Sequence, residues 1–238
     1  RGFEHSPQAA AMRERLEGEF NVVRHLGFAA YFLTVAEVVQ LTKNLGVRVA
    51  ARGSGAGSFI NHLLGISVLN PMDYDLIMER FLSPLRSSLP DIDIDVESHR
   101  RLDVYRAVLE RFGGDRVACV SMMDTYRVRY AIRDVAKAFP HIRARDARLA
   151  LQELPELRRS GFGALARSGQ LSQFLDLVEG LDGLPRNVAL HPCGVLLSDS
   201  SLLDRTPVQA SGADLPMSHY DKDDVETLGF LKLDILGI

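Results

Sequence analysis

The sequence predicts an α/β domain that is interrupted by a helical subdomain. Amphipathic helical segments alternate with short β-type runs along residues 1–139. Residues 140–184 contain only short helical pieces, and β-type runs return after Pro185. The 238 residues, of which 46% are hydrophobic, suffice for one large domain or two small ones with packed cores.

The predicted helices begin and end at residues that favour such boundaries. Ser6 and Pro7 precede the first helical segment, and a glycine follows each of the first four. The helices are predicted over 9–26, 31–45, 59–64, 99–112 and 125–139, and in the helical subdomain over 144–154, 156–167 and 171–181, with a further amphipathic segment over 76–82. The strands are predicted over 47–51, 89–96, 116–122, 194–198, 215–220 and 229–236.

The most informative strand carries a row of acids, in which Asp91, Asp93 and Asp95 alternate with Ile92 and Ile94. Because successive side chains of a strand point to opposite faces, the acids share one face and the isoleucines enter the core. Carboxylates this close repel each other, and Asp is a poor strand former. The row therefore predicts a site for divalent cations with oxygen ligands, and with it metal-dependent phosphate chemistry.

The acidic row has three other interpretations. A calcium-binding EF-hand loop needs Gly and Glu at its sixth and twelfth positions, where this sequence has Val96 and Leu102. A solvent-exposed acidic face would deter unwanted pairing of a sheet edge. The carboxylates could also clamp one structural calcium ion. The residues disfavour the first interpretation and leave the other two open.

A glycine-rich loop, Arg-Gly-Ser-Gly-Ala-Gly-Ser at residues 52–58, joins a predicted strand to a predicted helix. Backbone amides of such a loop, and the N-terminus of the following helix, can bind phosphate. The loop lacks the Gly-Lys-Ser/Thr of a Walker A motif, and Ser58 stands where a dinucleotide fingerprint has its third glycine. With Arg52 inside it and the acidic row after it, the loop predicts a seat for a nucleoside triphosphate facing a metal site.

The last predicted strand, over 229–236, places Lys232 and Asp234 on one face and apolar residues on the other. An Asp in an otherwise apolar strand is costly unless it is paired. Asp234 is therefore a candidate third carboxylate, across the sheet from Asp91 and Asp93, and Lys232 would reach the same ligand. An ordinary ion pair on an edge strand would explain the same residues.

The net charge of −3 conceals a basic segment. Between residues 100 and 148, twelve basic residues, eleven of them arginine, outnumber six acidic ones. The guanidinium group suits phosphate, so a polyanionic partner is one interpretation and a salt-bridged helical surface is the other. Residues 126–130, Tyr-Arg-Val-Arg-Tyr, interleave aromatic and basic side chains that could face a nucleic-acid backbone.

Composition also excludes several classes. No apolar run approaches the roughly 18 residues of a membrane span, and the N-terminus lacks the apolar core of a signal peptide. Cys119 and Cys193 have no zinc-ligand or disulfide-framework spacing. We expect a cytoplasmic protein with no membrane partner.

Six short motifs follow one another along the chain. They are residues 52–58, Glu79-Arg80-Phe81-Leu82-x-Pro84, Pro90-Asp91-Ile92-Asp93-Ile94-Asp95, Ala131-Ile132-Arg133-Asp134-Val135, Asp221-Lys222-x-Asp224-Val225-Glu226, and Lys232-Leu233-Asp234-Ile235-Leu236-Gly237. Their order is the one found in the bacterial DNA polymerase III alpha subunit, a C-family polymerase, and the sequence resembles that family over nearly its whole length. The resemblance implies a palm similar to the DNA polymerase beta-type nucleotidyltransferase fold in residues 1–139 and 185–238, with a helical thumb inserted at 140–184.

The same resemblance implies roles for individual residues. Asp91, Asp93 and Asp234 match the catalytic carboxylates that hold two Mg²⁺ ions, for which Mn²⁺ can substitute, and Asp95 supports them. The candidate nucleotide-binding residues are Arg52, Gly53, Ser54, Arg80, Arg86 and Lys232. The candidate DNA-binding residues are Arg127, Arg129 and Arg133.

The resemblance implies a DNA-directed DNA polymerase that transfers nucleotides from dNTP to the 3′-hydroxyl of a primer on template DNA. A sliding clamp and other replication subunits would be partners of the full-length protein. Because the substrate-closing parts of the family lie outside this chain, we expect the isolated chain to be inactive. Two alternatives stay open: another nucleotidyltransferase of the same fold, and a non-catalytic nucleic-acid-binding module. Replicative and error-prone duty are not distinguished.

Overall fold

The computed structural model describes residues 8–86, 89–138 and 169–238. Within them one mixed seven-stranded sheet has the strands β1 Val49–Arg52, β2 Asp93–Val96, β3 Val117–Thr125, β4 Pro185–Leu197, β5 Val208–Ala210, β6 Pro216–Ser218 and β7 Leu231–Gly237. Their order is β1-β2-β7-β4-β3-β6-β5. β2 and β7 are parallel, whereas β2 and β1, and β7 and β4, are antiparallel. This mixed α/β sheet agrees with the predicted fold class.

The helices are α1 Ala9–His25, α2 Ala29–Asn44, α3 Phe59–Leu63, α4 Arg101–Phe112, α5 Val128–Ala138, α6 Gly169–Leu181, α7 Leu202–Arg205 and α8 Lys222–Thr227. Short 3₁₀ turns occupy Gly53–Gly57, Pro71–Asp73 and Ser98–Arg100. Gly27 and Gly46 have φ of 73° and 70° and end α1 and α2 as predicted, because side chains disfavour that backbone conformation.

No single described helix has both the length and the apolar character of a membrane span. The helices Ala9–His25 and Ala29–Asn44 have the length and composition of a span only when they are taken together, and a bend of 111° separates them.

Several elements differ from the predictions. β4 begins at Pro185 instead of residue 194, and β5 was not predicted. Residues 185–193 lack the apolar alternation from which a strand is predicted, and main-chain pairing of a strand does not depend on that pattern. Residues 76–82 form no helix: the amides of Phe81 and Leu82 bond to the carbonyl oxygen of Met78 in a turn, and the side chains of all three residues are buried. The predicted helices over 144–154 and 156–167 lie outside the described residues.

The chain divides into two compact units. One contains the described residues up to Met122 together with Leu190–Ile238, and the other contains the described residues of Met123–Ala189. This division reflects compactness and assigns no role to either unit, so the thumb predicted at residues 140–184 stays a prediction.

In the first unit, one face of the sheet is apolar and packs against helices. Ile94 of β2 and Ile235 of β7 are buried in one large cluster with side chains of α2 and α4. The opposite face carries the acids of β2 and β7. Farther along that opposite face, a smaller apolar cluster covers β3 and β4, and it consists of Ala118, Val120, Leu196, Leu202, Val225 and Phe230. The polar half of this face is therefore confined to the neighbourhood of β1, β2 and β7.

The second unit has its own core. α5 and α6 pack together through the buried side chains of Val128, Ala131, Ile132, Val135, Phe174, Leu175 and Val178. The buried positions of α5 recur at helical spacing, so its other face is left to polar residues.

We expect Ile94→Ala to lower the free energy of unfolding by about 2–5 kcal/mol, because it leaves a cavity in the main core. Ile94 is 1% exposed. Urea unfolding followed by circular dichroism measures the change. Leu85→Ala is the control: Leu85 is 95% exposed, so we expect a change within about 0.5 kcal/mol. Equal effects of the two substitutions would contradict this description of the core.

Candidate active site

Four residues form a row across four neighbouring strands. Asp93 of β2 pairs with Asp234 of β7 in parallel register, and Arg52 of β1 pairs with Asp93 on the other side. Gly194 of β4 pairs with Asp234. Because directly paired residues of adjacent strands point to the same face, the carboxylates of Asp93 and Asp234 share one face of the sheet. The structure thus brings together two of the three predicted carboxylates, which are remote in sequence.

The alternation predicted for the acidic segment is confirmed. Ile92 and Ile94 are buried, Asp93 and Asp95 are partly buried, and Asp91 is exposed just before β2 begins. In β7, Leu233 and Ile235 are buried whereas Lys232 and Asp234 lie on the opposite face, again as predicted. The pattern arises because the apolar residues enter the main core and leave the acids on the other side.

Two cations partly balance these acids. The Nζ atom of Lys232 lies 2.7 Å from Oδ2 of Asp234. The guanidinium of Arg52 lies 3.5 Å from Oδ1 of Asp95 and 4.0 Å from Oδ2 of Asp93. Both cations belong to the predicted nucleotide-binding set, so the structure places them beside the carboxylates.

The negative charge is not fully compensated. Burial, together with the charges of Asp234 and Asp91, raises the pKa of Asp93 above its usual value against the opposing charge of Arg52. Burial works against the charged form of Lys232, but its hydrogen bond to Asp234 and the charges of Asp234 and Asp91 prevail and raise its pKa. Asp91 therefore acts electrostatically on this group although it is exposed. It also lines a cleft with Lys232.

The Oδ1 atom of Asp234 is buried and has no hydrogen-bond partner among the described residues. An unsatisfied buried carboxylate oxygen is costly, and a hard cation with oxygen ligands would satisfy it. The donor chemistry of Asp91, Asp93 and Asp234 thus fits Mg²⁺. As placed, no three Asp, Glu, His or Cys side chains of residues 8–86, 89–138 and 169–238 are grouped closely enough to form a metal site.

The glycine-rich loop begins directly beside the acids. Gly53 has φ of 70°, and a Cβ atom there would lie 3.6 Å from Oδ2 of Asp93. Gly53 and Ser54 line a cleft of about 390 Å³ with Arg80 and Leu76. Three of the predicted nucleotide-binding residues therefore share one concave surface that starts at the acidic row.

The prediction that the helix after this loop offers its N-terminus to phosphate is wrong. The backbone amides of Phe59 and Ile60 donate to Glu19, at 2.9 and 3.1 Å. Glu19 lies on α1, is 2% exposed, and also accepts from the hydroxyl of Ser58 at 2.9 Å. An internal carboxylate thus takes the place that a phosphate would occupy. Sequence reasoning missed Glu19, whose only local signal is its helical spacing from Arg15.

Arg86 is engaged by the main chain. Its guanidinium donates to the carbonyl oxygens of Phe81 and Leu89, both at 3.1 Å, and so connects the 76–82 turns to the start of the acidic segment. Sequence reasoning also missed Tyr31, whose hydroxyl accepts from the amide of Ile92 at 3.0 Å. Burial raises the pKa of Tyr31, which stays a neutral phenol. The predicted nucleotide-binding role of Arg86 stays a prediction.

His191 has a structural position. Its Nδ1 atom accepts from the amides of Cys193 and Gly194, at 3.3 and 3.1 Å. Burial lowers its pKa against the charge of Asp234, which favours the neutral ring that such acceptance requires. His191 thereby orders the backbone at Gly194, next to Asp234.

Comparison with known proteins shows the family of the chain. The sequence profile described as the bacterial DNA polymerase III alpha NTPase domain matches residues 3–237. The chain belongs to the bacterial DNA polymerase III alpha family. The DNA polymerase III subunit alpha of Thermus aquaticus is 34% identical over 97% of the chain, and the error-prone DNA polymerases of Nocardia farcinica and Methylococcus capsulatus are 37% and 34% identical over 94% and 95%. The chain covers 20%, 19% and 22% of these relatives, which is about a fifth of their length.

In this member of the polymerase III alpha family, the second unit presents the predicted DNA-binding arginines. Arg127, Arg129 and Arg133 are all exposed, and the last two lie one turn apart on α5. The neighbouring tyrosines contact another side chain of the same unit: the guanidinium of Arg186 lies 4.4 Å from the ring centre of Tyr130 and 5.8 Å from that of Tyr126. Arg186 also pairs with Asp124 and Asp134.

We expect Asp234→Asn to lower the pKa of Asp93 toward that of an ordinary Asp, because it removes the strongest negative charge acting on Asp93 and frees Lys232. Carbon-detected NMR titration of the carboxyl groups measures this pKa. Folding raises the pKa of Asp93, so the free energy of unfolding decreases as the pH rises from the ordinary pKa of Asp through the pKa of Asp93 in the folded protein. This decrease should be smaller in Asp234→Asn. Asp103→Asn, which removes an acid paired with Arg100 and Arg106, is the control. An unchanged pKa of Asp93 in Asp234→Asn would contradict the proximity of the two acids.

Proposed function

We propose that the chain is the catalytic core of a template-directed DNA polymerase that transfers a nucleotidyl group from dNTP to the 3′-hydroxyl of a primer. The observation that carries this proposal is the direct pairing of Asp93 with Asp234, next to a glycine-rich loop and two cations. Family membership supports it, since the relatives are named as DNA polymerases. The chain spans about a fifth of those relatives, so their activity is attributed to it here as a proposal.

On this proposal, residues 1–139 and 185–238 form a palm of the DNA polymerase beta type, and residues 140–184 form a helical thumb. The mixed sheet with a polar half-face supports the palm assignment, because it displays acids from two adjacent strands above an apolar layer. The separate α5–α6 core supports a distinct helical part, although α5 itself lies within the range 1–139 that is given to the palm.

Asp91, Asp93 and Asp234 would hold two Mg²⁺ ions, with Mn²⁺ as a substitute. When bound, such ions lower the pKa of the attacking hydroxyl and neutralise the leaving pyrophosphate. The unpartnered Oδ1 of Asp234 and the raised pKa of Asp93, which burial and the charge of Asp234 cause, support this role, because a bound cation would satisfy the oxygen and favour both charged carboxylates. Lys232 and Arg52 supply fixed positive charge at the same place.

The remaining nucleotide contacts follow from the cleft. Gly53 lets phosphate oxygens approach the backbone, because it has no side chain at the point nearest Asp93. Ser54 and Arg80 line the same cleft, and Arg80 would bind the triphosphate. Arg86 would add charge from the turn that precedes the acidic segment.

The exposed arginines of the second unit, Arg127, Arg129 and Arg133, would contact the phosphates of primer-template DNA. These contacts would be independent of sequence and would weaken with salt. A sliding clamp and other replication subunits would join the full-length protein, and a cytoplasmic location fits such partners.

We expect Asp93→Asn and Asp234→Asn each to reduce nucleotide incorporation by about 10³-fold or more, because each removes a carboxylate needed for charge stabilisation at the reacting phosphate. Primer extension by the full-length protein, with circular dichroism to verify folding, measures the effect. Asp103→Asn serves as the matched control and should keep activity near that of the parent. Folded Asp93→Asn protein with undiminished incorporation would overturn the proposed function.

A further inference from the structure

A partly buried ion pair supports the glycine-rich loop: Glu19 is almost completely buried, whereas the side chain of Arg15 is 24% exposed. The Nε atom of Arg15 lies 2.6 Å from Oε1 of Glu19, one turn later on α1. None of the motifs found in the sequence includes either residue. Among the described residues, the side-chain hydrogen bonds that this pair makes outside α1 go to the loop, to the first two residues of α3 and to Leu76 on the opposite wall of the cleft.

Glu19 holds the end of the loop. Its two carboxylate oxygens accept from the Ser58 hydroxyl and from the amides of Phe59 and Ile60. With the bond from Arg15, this carboxylate accepts four hydrogen bonds while it is almost completely buried. A charged acceptor with this many donors fixes the backbone firmly.

Arg15 connects the two walls of the cleft. Its Nη2 atom donates to the carbonyl oxygen of Gly57 at 2.9 Å and to that of Leu76 at 3.1 Å. Gly57 and Leu76 come from different segments, and both line the cleft that contains Ser54 and Arg80. One guanidinium therefore determines how far the loop wall stands from the Leu76 wall.

The walls also touch directly at Gly57. A Cβ atom on Gly57 would lie 2.7 Å from the carbonyl oxygen of Ile77, which is too close for any side chain. The separation of the walls is thus held by attraction through Arg15 and limited by contact at Gly57. Changing either residue should move the walls apart.

We propose that Arg15, neutralised by Glu19, is a positioning residue that sets the width of the cleft for the triphosphate of the incoming dNTP. This proposal rests on the proposed polymerase function. Arginine suits the task because its planar fork bonds a carboxylate and two carbonyl oxygens at once, whereas a lysine ammonium keeps the charge and loses that geometry. Arg15 touches no reacting atom, so it acts through the walls alone.

The test is steady-state kinetics of nucleotide incorporation by full-length Arg15→Lys protein. We expect the KM for dNTP to rise about tenfold with kcat within about twofold of the parent, because a distorted cleft weakens binding in the ground state and the transition state alike. A purely structural role would instead lower the active fraction, which reduces kcat and leaves KM unchanged.

Two further variants separate these outcomes. Gly57→Ala pushes the walls apart from the other side, so it should raise the KM for dNTP in the same way even if Arg15→Lys protein fails to fold. Val23→Ala is the matched control, because Val23 is a buried core residue on the same helix. The hydrogen bonds from α1 to the loop and to Leu76 come from Arg15 and Glu19. It should lower the melting temperature and leave the KM unchanged.

The outcomes distinguish the two proposals. If the parent protein incorporates no nucleotide, the proposed function fails. If the parent is active and both Arg15→Lys and Gly57→Ala keep the parental KM, or if Val23→Ala raises the KM equally, the positioning role of Arg15 is overturned.

Discussion

The structure of the site depends on a repulsion that the fold imposes. Asp93 and Asp234 occupy paired positions on adjacent parallel strands, so two carboxylates face the same side at the spacing of a sheet. Lys232 and Arg52 reduce the resulting negative charge without removing it, because these two cations face the carboxylates of Asp91, Asp93, Asp95 and Asp234. A site that costs stability in this way is typical of function.

The apolar side of the sheet holds these two strands in place. The hydroxyl of Tyr31 accepts from the amide of Ile92, where the acidic segment enters β2. The hydroxyl of Tyr105 donates to the carbonyl oxygens of Ile235 and Pro192, both at 3.3 Å, and so fixes β7 from the core side. Together with the burial of Ile94 and Ile235, these bonds keep the strands paired despite the acids on the other face.

The sequence of the glycine-rich loop predicts a phosphate-binding loop, but in the folded chain part of its surroundings serves to hold the loop itself. Its glycines bring the backbone close to Asp93 and close to Ile77. The helix that follows it has only five residues, and its amides are taken by Glu19. The loop is thus supported by a carboxylate of α1, and its residues Gly53, Ser54 and Gly57 line the cleft.

Local periodicity was enough to predict the faces of β2 and β7, the ends of α1 and α2 and the grouping of the acids, because those features follow from side-chain alternation and glycine positions near in sequence. Periodicity could not predict that β4 extends back to Pro185, that Glu19 caps α3, or that Arg15 joins Gly57 to Leu76. Within one segment it could group only acids such as Asp93 and Asp95, whereas the register that sets Asp93 opposite Asp234 follows from packing of the whole sheet. These contacts join segments far apart along the chain, and only the folded core brings them within hydrogen-bonding distance.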